Sequence, residues 1–193
     1  MNHKIMTFAT LAMLAPVIGA APVQASIFDF LGSNPSATSA DGRPLAVAPP
    51  RETVSYQGPY KPGTIIISTQ ERRLYLVLQN GRAVRYGVGV GRPGFTWGGV
   101  KTISAKKEWP EWTPPSQMLR RRPDLPRHMA GGIGNPLGAR AMYLGSSLYR
   151  IHGSNEPETI GQAVSSGCIR MTNDDVTDLY EHVKVGTKVV VQR

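Results

Sequence analysis

A chain of 193 residues is long enough for one ordinary domain and short for two independent cores. Its 21 Gly and 16 Pro favour short strands joined by turns over a bundle of long helices. Lys and Arg number 22 against 13 Asp and Glu, a formal charge of +9 with His neutral, so a polyanionic neighbour is implied.

The first element in chain order is a targeting segment. Met1-Asn2-His3-Lys4 leads into an apolar run from Ile5 to about Ala20, and Val23-Gln24-Ala25 supplies small residues for signal peptidase. Residues 1–25 read as a cleaved Sec signal, which implies export to the periplasm and a mature form with no transmembrane helix. An uncleaved anchor is the competing reading, disfavoured because the run is short and broken by Pro16. Cleavage removes only one cation, Lys4, and export makes an anionic wall polymer or membrane surface a better partner than nucleic acid, which is not expected. Residues 26–57, rich in Ala, Ser, Pro and Gly, read as a flexible linker, and 58–193 as one folded domain.

Within that domain Ile65-Ile66-Ile67, Leu74 to Leu78, and Val84, Tyr86, Val88 and Val90 predict strands, with Asn80-Gly81 a hairpin turn because both residues tolerate positive φ. Val100 to Ser104 follows as a strand. A helical turn begins at Pro114-Pro115-Ser116, carries Met118 and Leu119, and is stopped after Arg120-Arg121-Arg122 by Pro123. Ala141 to Leu144, Leu148 to His152 and Thr187 to Val191 are further strands. Between the last two, Thr172-Asn173-Asp174-Asp175 caps a helix whose Val176, Leu179, Tyr180 and Val183 repeat at helical spacing, with Gly186 beyond its end. The expected fold is mainly β with short helices, a mixed β-sandwich.

The chemistry centres on Cys168, the one cysteine, which has no intramolecular partner in a disulfide-permissive compartment. A strand would deliver His152 to a rim where Gly153 lets the chain turn, and Gly167 permits a tight backbone before the thiol. A nearby helix N-terminus and imidazole would favour the thiolate, the reactive form of a cysteine nucleophile. Backbone N–H groups of Gly167 and Cys168 could face a developing oxyanion. On residues alone two readings stand: a nucleophile with its base, or a structural thiol and a satisfied histidine. Gly87-Val88-Gly89-Val90-Gly91 lacks the helix a dinucleotide loop needs, and one Cys with four scattered His lacks the spacing of a zinc site. No metal and no cofactor are therefore expected. His182 sits near a helix C-terminus and His128 has no companion motif.

The run Ile151-His152-Gly153-Ser154, followed by Ile160-Gly161-Gln162-Ala163-Val164-Ser165-Ser166-Gly167-Cys168-Ile169-Arg170-Met171-Thr172-Asn173, closely resembles the active-site signature of YkuD-type L,D-transpeptidases. The resemblance extends over roughly residues 57 to 193, through Gly89 to Gly94, Glu108 to Pro115 and Asn135 to Met142. It implies that Cys168 attacks a peptidoglycan tetrapeptide stem, releasing D-alanine and leaving a thioester that an amine resolves. The acceptor in such proteins is a second stem, a lipoprotein lysine, or water. The resemblance further implies that His152 is general base and acid, that the Gly153 carbonyl orients it, and that a carbapenem forms an adduct on the sulfur. Arg170 either positions a stem carboxylate or ties its loop to acidic groups. Ser166, Tyr143 and Trp112 are candidate substrate contacts, with Trp109 beside them. Ser166 stands where many members carry a second histidine, which leaves His152 the only base in the motif. Two alternatives to transpeptidation are a non-catalytic peptidoglycan-binding module and an L,D-carboxypeptidase.

Overall fold

A computed structural model describes residues 48–193; the expected signal and most of the expected linker lie outside the described residues. Among the described residues, eleven strands and two short α-helices follow in chain order: β1 (Glu52–Ser55), β2 (Ile65–Ser68), β3 (Arg73–Val77), β4 (Arg82–Gly87), β5 (Val90–Gly91), β6 (Gly99–Glu108), α1 (Ser116–Arg121), β7 (Arg140–Leu144), β8 (Arg150–His152), β9 (Ala163–Ser165), β10 (Ile169–Arg170), α2 (Asn173–His182) and β11 (Lys188–Gln192). Nine strands form one mixed sheet in the order β1-β4-β3-β2-β11-β6-β7-β8-β10, and β5 pairs with β9. The fold is mainly β with short helices, as composition and turn signals implied.

The sheet curls because β6 serves two partners. Its first residues pair with β11 and its later ones with β7, with a register irregularity between Ile103 and Ala105 where the strand changes neighbour. The two expected layers are thus joined through one long strand, and Ile65, Leu74, Tyr86, Ile103, Met142 and Leu144 close a common core between them. β2 and β11 run parallel at the centre, and their continuous apolar runs are buried on both faces. β3 alternates instead, with Leu74 and Leu76 inside and Tyr75 half-buried.

Asn80 and Gly81 adopt φ of 58° and 65°, the double left-handed turn that closes β3 on β4. The apolar alternation from Val84 to Val90 does not form one strand. β4 stops at Gly87, and the Gly89 N–H donates across to the Arg170 carbonyl oxygen at 2.9 Å, so Val90 enters the smaller sheet. β1 lies inside the stretch expected to be linker, yet it pairs along the open edge of β4 and is tied there by Arg85 to Glu52. It was invisible to periodicity because an exposed edge strand has no inward apolar face.

The helix after the cysteine begins as its cap predicts: Thr172 Oγ1 accepts from the Asp175 N–H at 3.1 Å, and Val176 and Leu179 are fully buried. Replacing Thr172 with alanine strands that N–H, and we expect a loss of about 1 kcal/mol, read as a fall of a few degrees in the thermal midpoint.

Candidate active site

β8 and β10 pair in parallel, with Ile169 opposite Ile151 and Arg170 opposite His152. Because the strands run parallel, Cys168 stands at the mouth of β10 beside Arg150, the first residue of β8, whose last residue is His152. Both His152 and Cys168 line a cavity of about 390 Å³, whose wall also includes Phe95, Trp112, Met118 and Tyr149. The thiol is half-buried, and its hydrogen bond runs to the Leu148 carbonyl oxygen at 3.7 Å.

His152 is buried, and its Nδ1 lies 2.6 Å from the Gly153 carbonyl oxygen. A carbonyl oxygen only accepts, so Nδ1 carries the hydrogen and Nε2 keeps its lone pair. The bend that brings this carbonyl to the ring depends on close packing. A Cβ on Gly153 would stand 2.3 Å from Asn173 Oδ1, which itself accepts from the Ala139 N–H at 2.9 Å. Asn173, at the start of α2, thereby locks the histidine turn against the helix that follows the cysteine; it falls within the recognised motif, but nothing in its spacing announced this role.

Charge at the site differs from the expectation of a depressed thiol. Burial pushes the Cys168 thiol up, while the Arg150 backbone and guanidinium and the charge of Arg170 pull it down without prevailing. Burial, followed by the positive charge of Arg170, lowers His152 to about 3. The resting pair is a neutral thiol and a neutral imidazole.

The loop between β9 and β10 is braced by Ser165, which sequence reasoning passed over. Its Oγ donates to the Cys168 carbonyl oxygen at 2.6 Å and accepts from the Gly167 N–H at 3.0 Å. Of the two N–H groups expected to face an oxyanion, that of Gly167 is therefore engaged. The Cys168 N–H has no protein acceptor among the described residues.

The expected substrate contacts divide. Ser166, Arg170 and Trp112 line the cavity, whereas Tyr143 lies outside its wall, beneath the Arg150 guanidinium at 5.1 Å. Trp109 is 43% exposed and also outside the wall. Arg170 is held by Glu156 at 2.8 Å, with Thr159 Oγ1 at 3.4 Å, so its loop-tying role is built. From the arginine cluster after Leu119, Arg121 reaches the cavity and Arg122 pairs with Asp124. Among the described residues no cluster of three His, Cys, Asp or Glu is placed to hold a metal ion, and no helix is long and apolar enough to cross a membrane.

Fold and site together define a mainly β domain that presents a half-buried thiol and a neutral, carbonyl-oriented imidazole to one cavity. The chain belongs to the YkuD family, the L,D-transpeptidase catalytic domain, whose model matches residues 62–191. It is 38% identical over 136 residues to the probable L,D-transpeptidase ErfK/SrfK of Escherichia coli, covering 66% of this chain and 43% of that protein. The chain thus spans less than half the length of that curated relative. A crystal structure from Brucella melitensis, described as a probable carnitine operon oxidoreductase, is 48% identical with a TM-score of 0.50, covering 74% of this chain and 93% of that one. The L,D-transpeptidase of Mycobacterium smegmatis shares the fold at 20% identity and a TM-score of 0.55, over 67% of this chain and 58% of that one.

Proposed function

We propose that this protein is a cysteine L,D-transpeptidase acting on peptidoglycan stem peptides in the periplasm. Residues 1–25 serve as its Sec signal, and the expected linker serves as a tether only ahead of Pro49 and Arg51, which pack on the domain, Arg51 pairing with Asp178 at 3.0 Å. The observation that carries this reading is the hydrogen bond from His152 Nδ1 to the Gly153 carbonyl, which leaves Nε2 as a base in the cavity shared with the only thiol.

The chemistry follows from the two neutral groups. As a stem enters and displaces water, Nε2 takes the thiol proton, and sulfur forms a bond to the carbonyl carbon that precedes the terminal D-alanine. The resulting oxyanion is met by the Cys168 N–H. Collapse breaks the C–N bond, His152 returns its proton to the departing amine, and D-alanine leaves behind a thioester. An amine from a second stem, or from a lipoprotein lysine, then attacks, and the thiol is regenerated.

Purified protein incubated with tetrapeptide-bearing muropeptides supplies the test, with products weighed by mass spectrometry. Cross-linked dimers with release of D-alanine are expected. Trimmed tripeptide stems without dimers would assign water as the acceptor, and unaltered muropeptides would reject the enzymatic reading in favour of a binding module.

A further inference from the structure

We infer that Trp97 is a positioning residue for acyl transfer, acting through the peptide group that joins Gly167 to Cys168. The inference rests on the proposed acyl-transfer reading and adds to it the device that aims its oxyanion donor. Trp97 lies in the loop between β5 and β6, far from the cysteine in sequence and outside the cavity wall. Its ring is 8% exposed and belongs to the core, yet its Nε1–H donates to the Gly167 carbonyl oxygen at 2.7 Å.

That bond controls more than one oxygen. A trans peptide is planar, so its C=O and its N–H point in opposite directions, and no cis peptide occurs among the described residues. Gripping the Gly167 oxygen from the core side turns the Cys168 N–H to the opposite face. That N–H has no protein acceptor among the described residues, while the Gly167 N–H on the preceding peptide is consumed by Ser165 Oγ. A single indole thus sets the orientation of the peptide N–H carried by the nucleophile itself.

The indole is itself held. It stacks on Tyr149 with ring centroids 4.5 Å apart and planes within 4°. Gly167, at φ 108°, takes a conformation that side chains disfavour, and a Cβ there would stand 2.5 Å from Tyr149 Cε1. The tyrosine ring packed so closely against this glycine leads directly into Arg150, whose backbone lies against the sulfur. Trp97, Tyr149 and Gly167 form one stack in which the peptide cannot rotate without opening the core. This arrangement is pre-organised: the donor's orientation is set before charge develops on the substrate.

Two reactions of the same sulfur separate aiming from general integrity. Alkylation by iodoacetamide displaces iodide at carbon and forms no oxyanion. Acylation by the carbapenem meropenem adds sulfur to a carbonyl, forms one, and then breaks the lactam C–N bond with the proton passing to nitrogen. In the full-length chain, Trp97→Phe keeps a ring on Tyr149 and removes the N–H. Its acylation rate is expected to fall tenfold to about a hundredfold, less than or comparable to deleting an oxyanion donor outright, with alkylation within about twofold of wild type. Equal loss in both reactions, or no loss in acylation, overturns the inference. Wild-type protein that forms no adduct defeats the acyl-transfer reading itself and the inference with it.

A second measurement needs no variant. Because Cys168 is the only cysteine, ¹⁵N-cysteine labelling yields one backbone amide signal. Hydrogen exchange at that amide is expected to slow at least tenfold once meropenem is attached, as the N–H gains the acyl oxygen; unchanged exchange overturns the assignment.

Discussion

Cys168→Ala is expected to bring turnover of tetrapeptide stems to background, a loss on the order of 10⁶-fold where nucleophile and base act as a unit. The side chain lost is small and half-buried, and its hydrogen bond to Leu148 is a long sulfur contact, so the fold should survive. The check is paired: product mass for activity, thermal unfolding for structure, with a mass shift at Cys168 in the wild type alone after meropenem treatment. Residual turnover in the alanine variant would remove the thioester from the mechanism. The variant has a second signature. Burial raises the thiol above its ordinary value, so the unfolded chain loses that proton first as pH rises. Stability from this site is complete below the unfolded value and declines as pH climbs through the folded one. Wild type should therefore lose stability in alkali that the alanine variant retains.

His152→Asn is expected to lower the rate by about 10²–10⁴-fold, the usual contribution of a positioned base. Asparagine can still offer an N–H near the Nδ1 position to the Gly153 carbonyl, so the turn keeps its hydrogen bond while the Nε2 lone pair disappears. The pH profile distinguishes this histidine from an ordinary one. With His152 lowered to about 3, it remains an unprotonated base through the mildly acidic range, and the wild-type rate should show no limb near 6.5 from this residue. The unfolded chain, in contrast, takes up the proton near 6.5. Between those values the unfolded state binds more protons, so stability is whole above 6.5 and is lost as pH falls towards 3, by at most about 1.4 kcal/mol per pH unit. His152→Asn should flatten that slope in urea titrations. An unchanged slope would mean that the imidazole is not buried as described.

How far these features were legible beforehand depended on whether their cause was local. Asn80-Gly81 announced its turn because two adjacent residues tolerate positive φ, and Thr172 announced its helix because a cap acts within three residues. β9 and β10 were missed, being too short to show any period. β1 was missed because its partner, β4, is distant in the chain and its own side chains stay in solvent. The burial that pushes the thiol up was out of reach for a related reason: proximity in sequence to a helix start says nothing of burial.

The amino-acid order by itself determined the mainly β class and the capped helix after the cysteine, because turn preference and capping are written in neighbouring positions, and its motif around Cys168 and His152 carried the family resemblance. Only the folded chain decided that Ser165 occupies the Gly167 N–H, that Arg170 is spent on Glu156, that Tyr143 stays outside the cavity, and that Trp97 holds the Gly167 carbonyl. Each of these is a contact of a few ångströms whose direction follows from curled sheets and packed loops. A hydrogen bond depends on where two groups point, and that is set by the whole core.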